Sequence, residues 1–130
     1  PLYFFAFDGG FAPIKSVVEH AMSLEAESIH LYWIGSNQEH IYLPNIGRAW
    51  GDALDNFHYE QQIAGFDLRN VSGKLEEKLV SQLSTIVARH QDLMQGDIYL
   101  AGPVSAVAIA EQIFLGRGLP KTRVSVAVVK

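Results

Sequence analysis

Two glycines stand between an apolar run and a proline in Asp8-Gly9-Gly10-Phe11-Ala12-Pro13. A glycine pair at that place lets the backbone approach a ligand closely. The free N–H groups of a helix start there attract anions such as a pyrophosphate. The same spacing fits a tight turn that needs positive φ. It is neither G-x-G-x-x-G nor a P-loop, because no Gly-Lys-Ser/Thr follows. Asp8 pulls the other way. A carboxylate beside a pyrophosphate costs affinity unless it holds a cation, a ribose hydroxyl or a backbone N–H. Alternatively it caps the following helix. Ala101-Gly102-Pro103 again sets a glycine before a proline able to open a helix, which fits a turn as well as a site. Gly35-Ser36-Asn37 closes a third apolar run.

Other chemistries find no residues. His20, His30, His40, His58 and His90 are dispersed without H-x-x-x-H or H-x-H spacing, so no metal site is expected. The absence of cysteine excludes disulfides, thiolate metal sites and a cysteine nucleophile. There is no G-x-S-x-G elbow. No side chain is assigned a catalytic role. A net charge of −4 with scattered Lys and Arg argues against nucleic acid as partner. The longest apolar stretch, residues 1–7, is too short to span a bilayer and has no basic leader. A cytoplasmic protein is therefore expected. The start at Pro1, directly on a strand-like run, reads as a cut at a domain boundary.

The elements that must position these loops follow from hydrophobic periodicity. Leu2–Phe7 is apolar on both faces and reads as a buried parallel strand. Pro13 suits the first turn of a helix whose face carries Ile14, Val17, Val18, Ala21 and Leu24. Residues 28–34 form a second strand, residues 40–54 a weaker helix with Pro44 near its start, and residues 56–63 a third strand. Leu75, Leu79, Leu83, Ile86, Val87 and His90 mark one face of a long helix. A fourth strand at 98–101, a helix at 104–114 and a fifth strand at 123–129 complete the chain. Trp33 and Trp50 are read as core. The alternation gives an α/β fold, a doubly wound five-stranded parallel sheet with helices on both faces. Ligands in such sheets sit outside the carboxyl ends of the strands, where strand order reverses. That selects the loops at 8–12, 35–37, 64–69 and 102–104.

Taken together, these stretches resemble the NAD(P)-binding domain of the ferredoxin reductase family. Gly10-Phe11-Ala12-Pro13 looks like the end of its Gly-Gly-Thr-Gly-(Ile/Phe)-Ala-Pro signature. Leu31-Tyr32-Trp33-Ile34-Gly35-Ser36-Asn37, with Ile41-Tyr42-Leu43, looks like its Tyr-Trp-Gly-x-Arg and Asp-Leu-Tyr elements. Asp97-Ile98-Tyr99-Leu100-Ala101-Gly102-Pro103 looks like its Asp-(Ile/Val)-Tyr-x-Cys-Gly-Pro strand, and Gly118-Leu119-Pro120 matches the turn before its last strand. The resemblance runs from about Leu2 to Val126. The chain departs from the pattern where Phe7-Asp8-Gly9 replaces the leading Gly-Gly-Thr, where Ala101 replaces Cys, where Ala106 replaces a common Met, and where the C-terminal acid and aromatic are absent.

The resemblance implies that residues 1–130 are one NAD(P)-binding domain. Its partner would be FAD or FMN on a flavin-binding domain upstream or on another chain, and the reaction would be hydride transfer from NAD(P)H to that flavin. It implies cofactor contacts at Asp8, Gly9, Gly10, Phe11, Ala12 and Pro13, at Gly35, Ser36 and Asn37, and at Ala101, Gly102 and Pro103. Gln61-Gln62-Ile63-Ala64 replaces the family's NADP-type Ser-Arg, Arg69 is the nearest cation, and Gln38 and Glu39 can meet a free ribose hydroxyl, so NAD is favoured over NADP. A second reading is a degenerate domain that kept the fold, lost the cofactor and serves as a structural or partner-binding module. A receiver-like domain shares the architecture, but no phospho-acceptor Asp stands near Gln62 and no Lys is well placed near Val129.

Overall fold

The computed structural model describes residues 1–23, 28–41, 49–51 and 54–129. The strands are β1 (Leu2–Phe7), β2 (Ile29–Gly35), β3 (Phe57–Ile63), β4 (Asp97–Gly102) and β5 (Val124–Val128). The helices among the described residues include α1 (Phe11–Ser23), α2 (Lys74–Val87) and α3 (Val104–Gly116). All strand pairs are parallel, in the order β3-β2-β1-β4-β5. The chain winds outward from β1 through β2 to β3, then crosses back to lay β4 on the other side of β1. The reversal point is thus the gap between the carboxyl ends of β1 and β4, flanked by the loops at 8–10 and 102–103.

β1 explains why the sheet is buried on both sides. Its side chains alternate faces. Tyr3, Phe5 and Phe7 join Tyr32, Ile34, Ile98 and Leu100 beneath α2 and α3, while Phe4 and Ala6 join Leu31, Trp33 and Ala101 beneath α1. Phe5 is fully buried, its ring 5.2 Å from that of Tyr32 and 5.3 Å from that of Phe114. Phe5→Ala should therefore lose about 3–5 kcal/mol of stability, read as a lower urea midpoint at unchanged slope.

α1 begins at Phe11, so Pro13 stands in its first turn as expected, where no N–H is needed from that position. The helices depart from their sequence reading in two places. Val17 lies on the helix flank and is 39% exposed, so it does not belong to the core stripe of Ile14, Val18 and Ala21. α2 stops at Val87, which leaves His90 beyond the helix. Most of the helix expected at 40–54 lies outside the described residues, as does Leu24; residues 49–51 are helical. Trp33 is fully buried, and Trp50 packs half-buried against the same cluster. β5 is an edge strand, and Val126 and Val128 remain exposed along it.

Candidate functional site

Asp8 sits at the carboxyl end of β1 with a φ of 51°, the left-handed region, where Asp is among the few tolerated non-glycine residues. It is 4% exposed, a burial rare for a carboxylate without partners. Its Oδ1 accepts the Ser36 backbone N–H at 2.7 Å and its Oδ2 accepts the Ser36 hydroxyl at 2.7 Å. The Ser36 oxygen in turn accepts the Leu68 N–H at 2.9 Å, and the Asp8 carbonyl accepts the Trp33 indole N–H at 2.9 Å. The acid is a latch that ties the end of β1 to the end of β2 and to the loop after β3. The helix-cap reading of Asp8 is corrected, because its two oxygens turn to Ser36. Of the compensations expected for an acid in this loop, the backbone N–H is the one found.

The glycines divide into two kinds. A Cβ on Gly10 would lie 1.9 Å from the Ala101 carbonyl oxygen, so Gly10 is required where the first loop packs on the end of β4. Gly102 has a φ of +152°, and a Cβ there would lie 2.6 Å from the Phe7 Cβ. At these two positions the backbone that comes close is the protein's own. Gly9 differs: a Cβ there would meet only the Val129 side chain, at 3.8 Å, and the residue is partly exposed. Gly35 allows the tight return of Asn37 and Ile41 over the end of β2.

The expected site residues therefore separate by access. Phe11 is fully buried, its ring stacked 4.1 Å from that of Trp33, and it belongs to the core. Gly10, Gly35, Ser36, Ala101, Gly102 and Pro103 are buried and shape the strand ends, whereas Gly9, Ala12, Pro13 and Asn37 keep surface open to solvent. Val129 was missed by the sequence reading. Its N–H donates to the Gly102 carbonyl at 2.8 Å, which brings it beside Gly9. A residue past the last strand carries no local signal of this.

One strand pair over, at the carboxyl ends of β2 and β3, lies a cleft of about 480 Å³ lined by Ser36, Asn37, Gln38, His40, Ile63, Gly65, Phe66, Asp67 and Arg69. Asn37 Oδ1 accepts the Glu39 N–H at 3.0 Å and stands 2.9 Å from His40 Nδ1, which fixes the turn that forms one wall. On the other wall Asp67 accepts the Arg69 backbone N–H at 2.9 Å and its Nε–H at 3.2 Å. The Arg69 side chain, then its backbone N–H, holds the Asp67 carboxyl below the usual carboxylate range. The loop at 64–69 was expected to matter, but Phe66, Asp67 and His40 were not singled out. Of Gln38 and Glu39, Gln38 lines the cleft and Glu39 does not. Gln62 is turned away, its amide oxygen taken by Gln82 at 2.8 Å. Among the described residues no group of three His, Asp or Glu can hold a metal ion.

No family model matches the sequence. Among solved structures, the CS-b5R domains of human Ncb5or in an NAD+ form superpose with a TM-score of 0.74 at 14% identity, over 96% of this chain and 36% of that one. Ferredoxin-NADP+ reductase from Plasmodium falciparum gives 0.72 at 15% identity, over 98% of this chain and 52% of that one. The fold is that of the NAD(P)-binding domain of ferredoxin reductases. Among curated proteins, the CDP-6-deoxy-L-threo-D-glycero-4-hexulose-3-dehydrase reductase of Yersinia pestis is 25% identical over 126 residues, 95% of this chain and 36% of that protein. Protein RfbI of Salmonella typhimurium is 34% identical over 68 residues, 52% of this chain and 20% of that protein. The chain described here thus spans about a third of the length of the Yersinia relative. No helix among its described residues is long and apolar enough to cross a membrane.

Proposed function

We propose that this chain is the NAD(P)H-binding module of a flavin-dependent oxidoreductase, with the flavin, FAD or FMN, carried on another domain. The observation that carries the reading is one of placement. The reversal point of a 3-2-1-4-5 parallel sheet lies beside Gly9 and Gly102, and a polar cleft opens one strand pair away. Ligands in open α/β sheets bind at such a reversal. The residues present fit a dinucleotide. Gly9 is partly exposed just before the 13-residue α1, whose N-terminal dipole favours an anion. Asn37, Gln38 and the Phe66 ring can hold an adenosine in the cleft. The nicotinamide end would lie toward Gly102 and Pro103, as the resemblance to the reductase domains implies. When bound, the cofactor supplies the hydride, and the protein's part is to orient it toward the acceptor and exclude water. NADH is favoured over NADPH.

The flavin-bearing partner suits the apolar edge strand. Val104, Val126 and Val128 are 62%, 41% and 56% exposed, and Val128 is the register partner of Gly102 at the rim of the crevice.

A second reading has its own observation. Gly10 and Gly102 are filled by protein backbone and Asp8 brings a negative charge to the loop, which suits a structural or partner-binding module without cofactor. Titration with NADH and, separately, NADPH, followed by backbone amide shifts, decides between them. Saturable shifts centred on Gly9, Asn37 and Gly102 are expected. No localised shift at millimolar nucleotide would leave the cofactor-free reading standing.

A further inference from the structure

We infer that the histidine-lined pocket at the amino ends of β1 and β2 is a second ligand site, which takes a small oxyanion: a free phosphate or the phosphoryl group of a metabolite. The site does not depend on the NAD(P)H reading. Tyr3 stands near the start of β1 and Gly9 just past its end, about 20 Å away along the strand. The pocket has a volume of about 330 Å³, and Tyr3, Ser28, His30, Arg89, His90 and Asp92 are among its lining. Strand register sets Tyr3 beside His30, and His30 beside His58. The turn after α2 then brings His90 over them, its ring centroid 4.7 Å from that of His30 and 4.9 Å from that of Tyr3. A hydrogen bond shared between His90 Nε2 and the Tyr32 hydroxyl orients this second imidazole. Imidazole, guanidinium and hydroxyl groups from distant parts of the chain thus converge on one space.

Charge decides the ligand class. Arg89 is matched by Glu60 of β3 at 2.8 Å, and Asp92 adds a negative charge to the lining. The fixed charges therefore leave no positive surplus at neutral pH. Protons on His30 and His90 reverse the sign. Burial first, then His90 and His58, oppose a proton on His30 and push its pKa down to about 4; the Pro1 amino group acts in the same sense most weakly. Burial, then Arg89 and His58, lower that of His90, and Glu60 opposes them. Tyr3 and Tyr32 stay neutral donors, because burial raises both. An oxyanion seated beside the two rings offsets the repulsion among them and Arg89, so anion and proton bind together. An ammonium ligand would find Asp92 as the one carboxylate in the lining, with Arg89 against it.

The test titrates the full-length protein that carries this chain with sulfate, whose charge does not change between pH 5 and pH 7.5. Chloride holds the ionic strength constant. The histidine ring C–H signals are followed by NMR. Saturable shifts of the His30 and His90 rings are expected, with sulfate bound about tenfold tighter at pH 5 than at pH 7.5, as uptake of one proton implies. His30→Phe, which keeps a ring in place, should make that pH dependence shallower. Arg89→Gln should weaken binding about tenfold, and Glu60→Gln, which releases the arginine, should strengthen it about threefold. Inorganic phosphate and glycerol 3-phosphate, compared at pH 5, then distinguish a free anion from a phosphoryl group on a larger molecule, and tighter binding of either supports the site. Equal affinity at both pH values overturns it. So does the absence of any saturable shift of the two rings at pH 5, or a response confined to the loop at Gly9.

Discussion

Asp8→Ala is expected to destabilise the fold by about 3 kcal/mol, the scale for removing a charged acceptor from two buried hydrogen bonds. Three effects add in the same direction. The Ser36 N–H and hydroxyl lose their partners, at 2.7 Å each, in a junction closed to water. The Leu68 N–H keeps the Ser36 oxygen but loses the fixed rotamer that aims it. Alanine also tolerates a φ of 51° less well than aspartate. The variants separate these contributions. Asp8→Asn keeps one acceptor oxygen and the tolerance for positive φ, so it should fall between wild type and alanine. Asp8→Gly relieves the backbone but loses both hydrogen bonds, so it should still lose stability. Urea unfolding of the four proteins reads the order directly. A glycine variant as stable as wild type would mean that the latch contributes no more than the backbone relief offsets. It would return Asp8 to the role expected from sequence, an acid in the way of a phosphate.

That contrast shows where sequence reading ran out. The sheet was legible because it rests on local signals. Runs such as LYFFAF are apolar on both faces, and only a doubly covered parallel sheet buries both. The loops at the strand ends were legible for the same reason, since each follows from the end of a run. The meaning of residues inside those loops was not legible, because it depends on partners far along the chain. Asp8 meets Ser36 across 28 positions and Ser36 meets Leu68 across 32. Gly10 and Gly102 were marked for close approach to a ligand, and what lies against them is the protein itself. Spacing cannot say that what approaches is the Ala101 carbonyl and the Phe7 backbone. Phe11 fits a motif position and the core equally well from sequence, and its ring stacks on Trp33. The resemblance to ferredoxin reductase domains was carried by four short matches in order, and the superposed structures bear it out at the level of fold.

The histidines are the other group that the sequence scattered and the sheet collected. Register places Tyr3, His30 and His58 side by side on β1, β2 and β3, with ring centroids 5.0 and 4.7 Å apart. His90, just past α2, closes on His30 at 4.7 Å and shares a hydrogen bond with the Tyr32 hydroxyl. Arg89, paired with Glu60 at 2.8 Å, and Asp92 complete the charged surroundings. Burial first, then the neighbouring His90 and His58, push the His30 pKa down to about 4. Burial and Arg89 lower that of His90. A base whose folded pKa is lowered takes up its proton more readily in the unfolded chain. Stability is therefore unaffected above the ordinary value near 6.5, and it falls as pH drops from there toward 4. Each histidine excluded from protonation contributes a slope of up to about 1.4 kcal/mol per pH unit, reduced by solvent screening at this partly open site. Glu60, whose pKa is also lowered, adds its loss only at lower pH, as the carboxylate titrates. Urea midpoints between pH 7.5 and 5 should thus decline. His30→Phe, which keeps a ring in the ladder and cannot take a proton, should flatten that decline by about half, the share of one of two titrating rings. An unchanged slope in His30→Phe would place the acid sensitivity elsewhere. A steeper slope would mean that His30 shields its neighbours from protonation rather than resisting it.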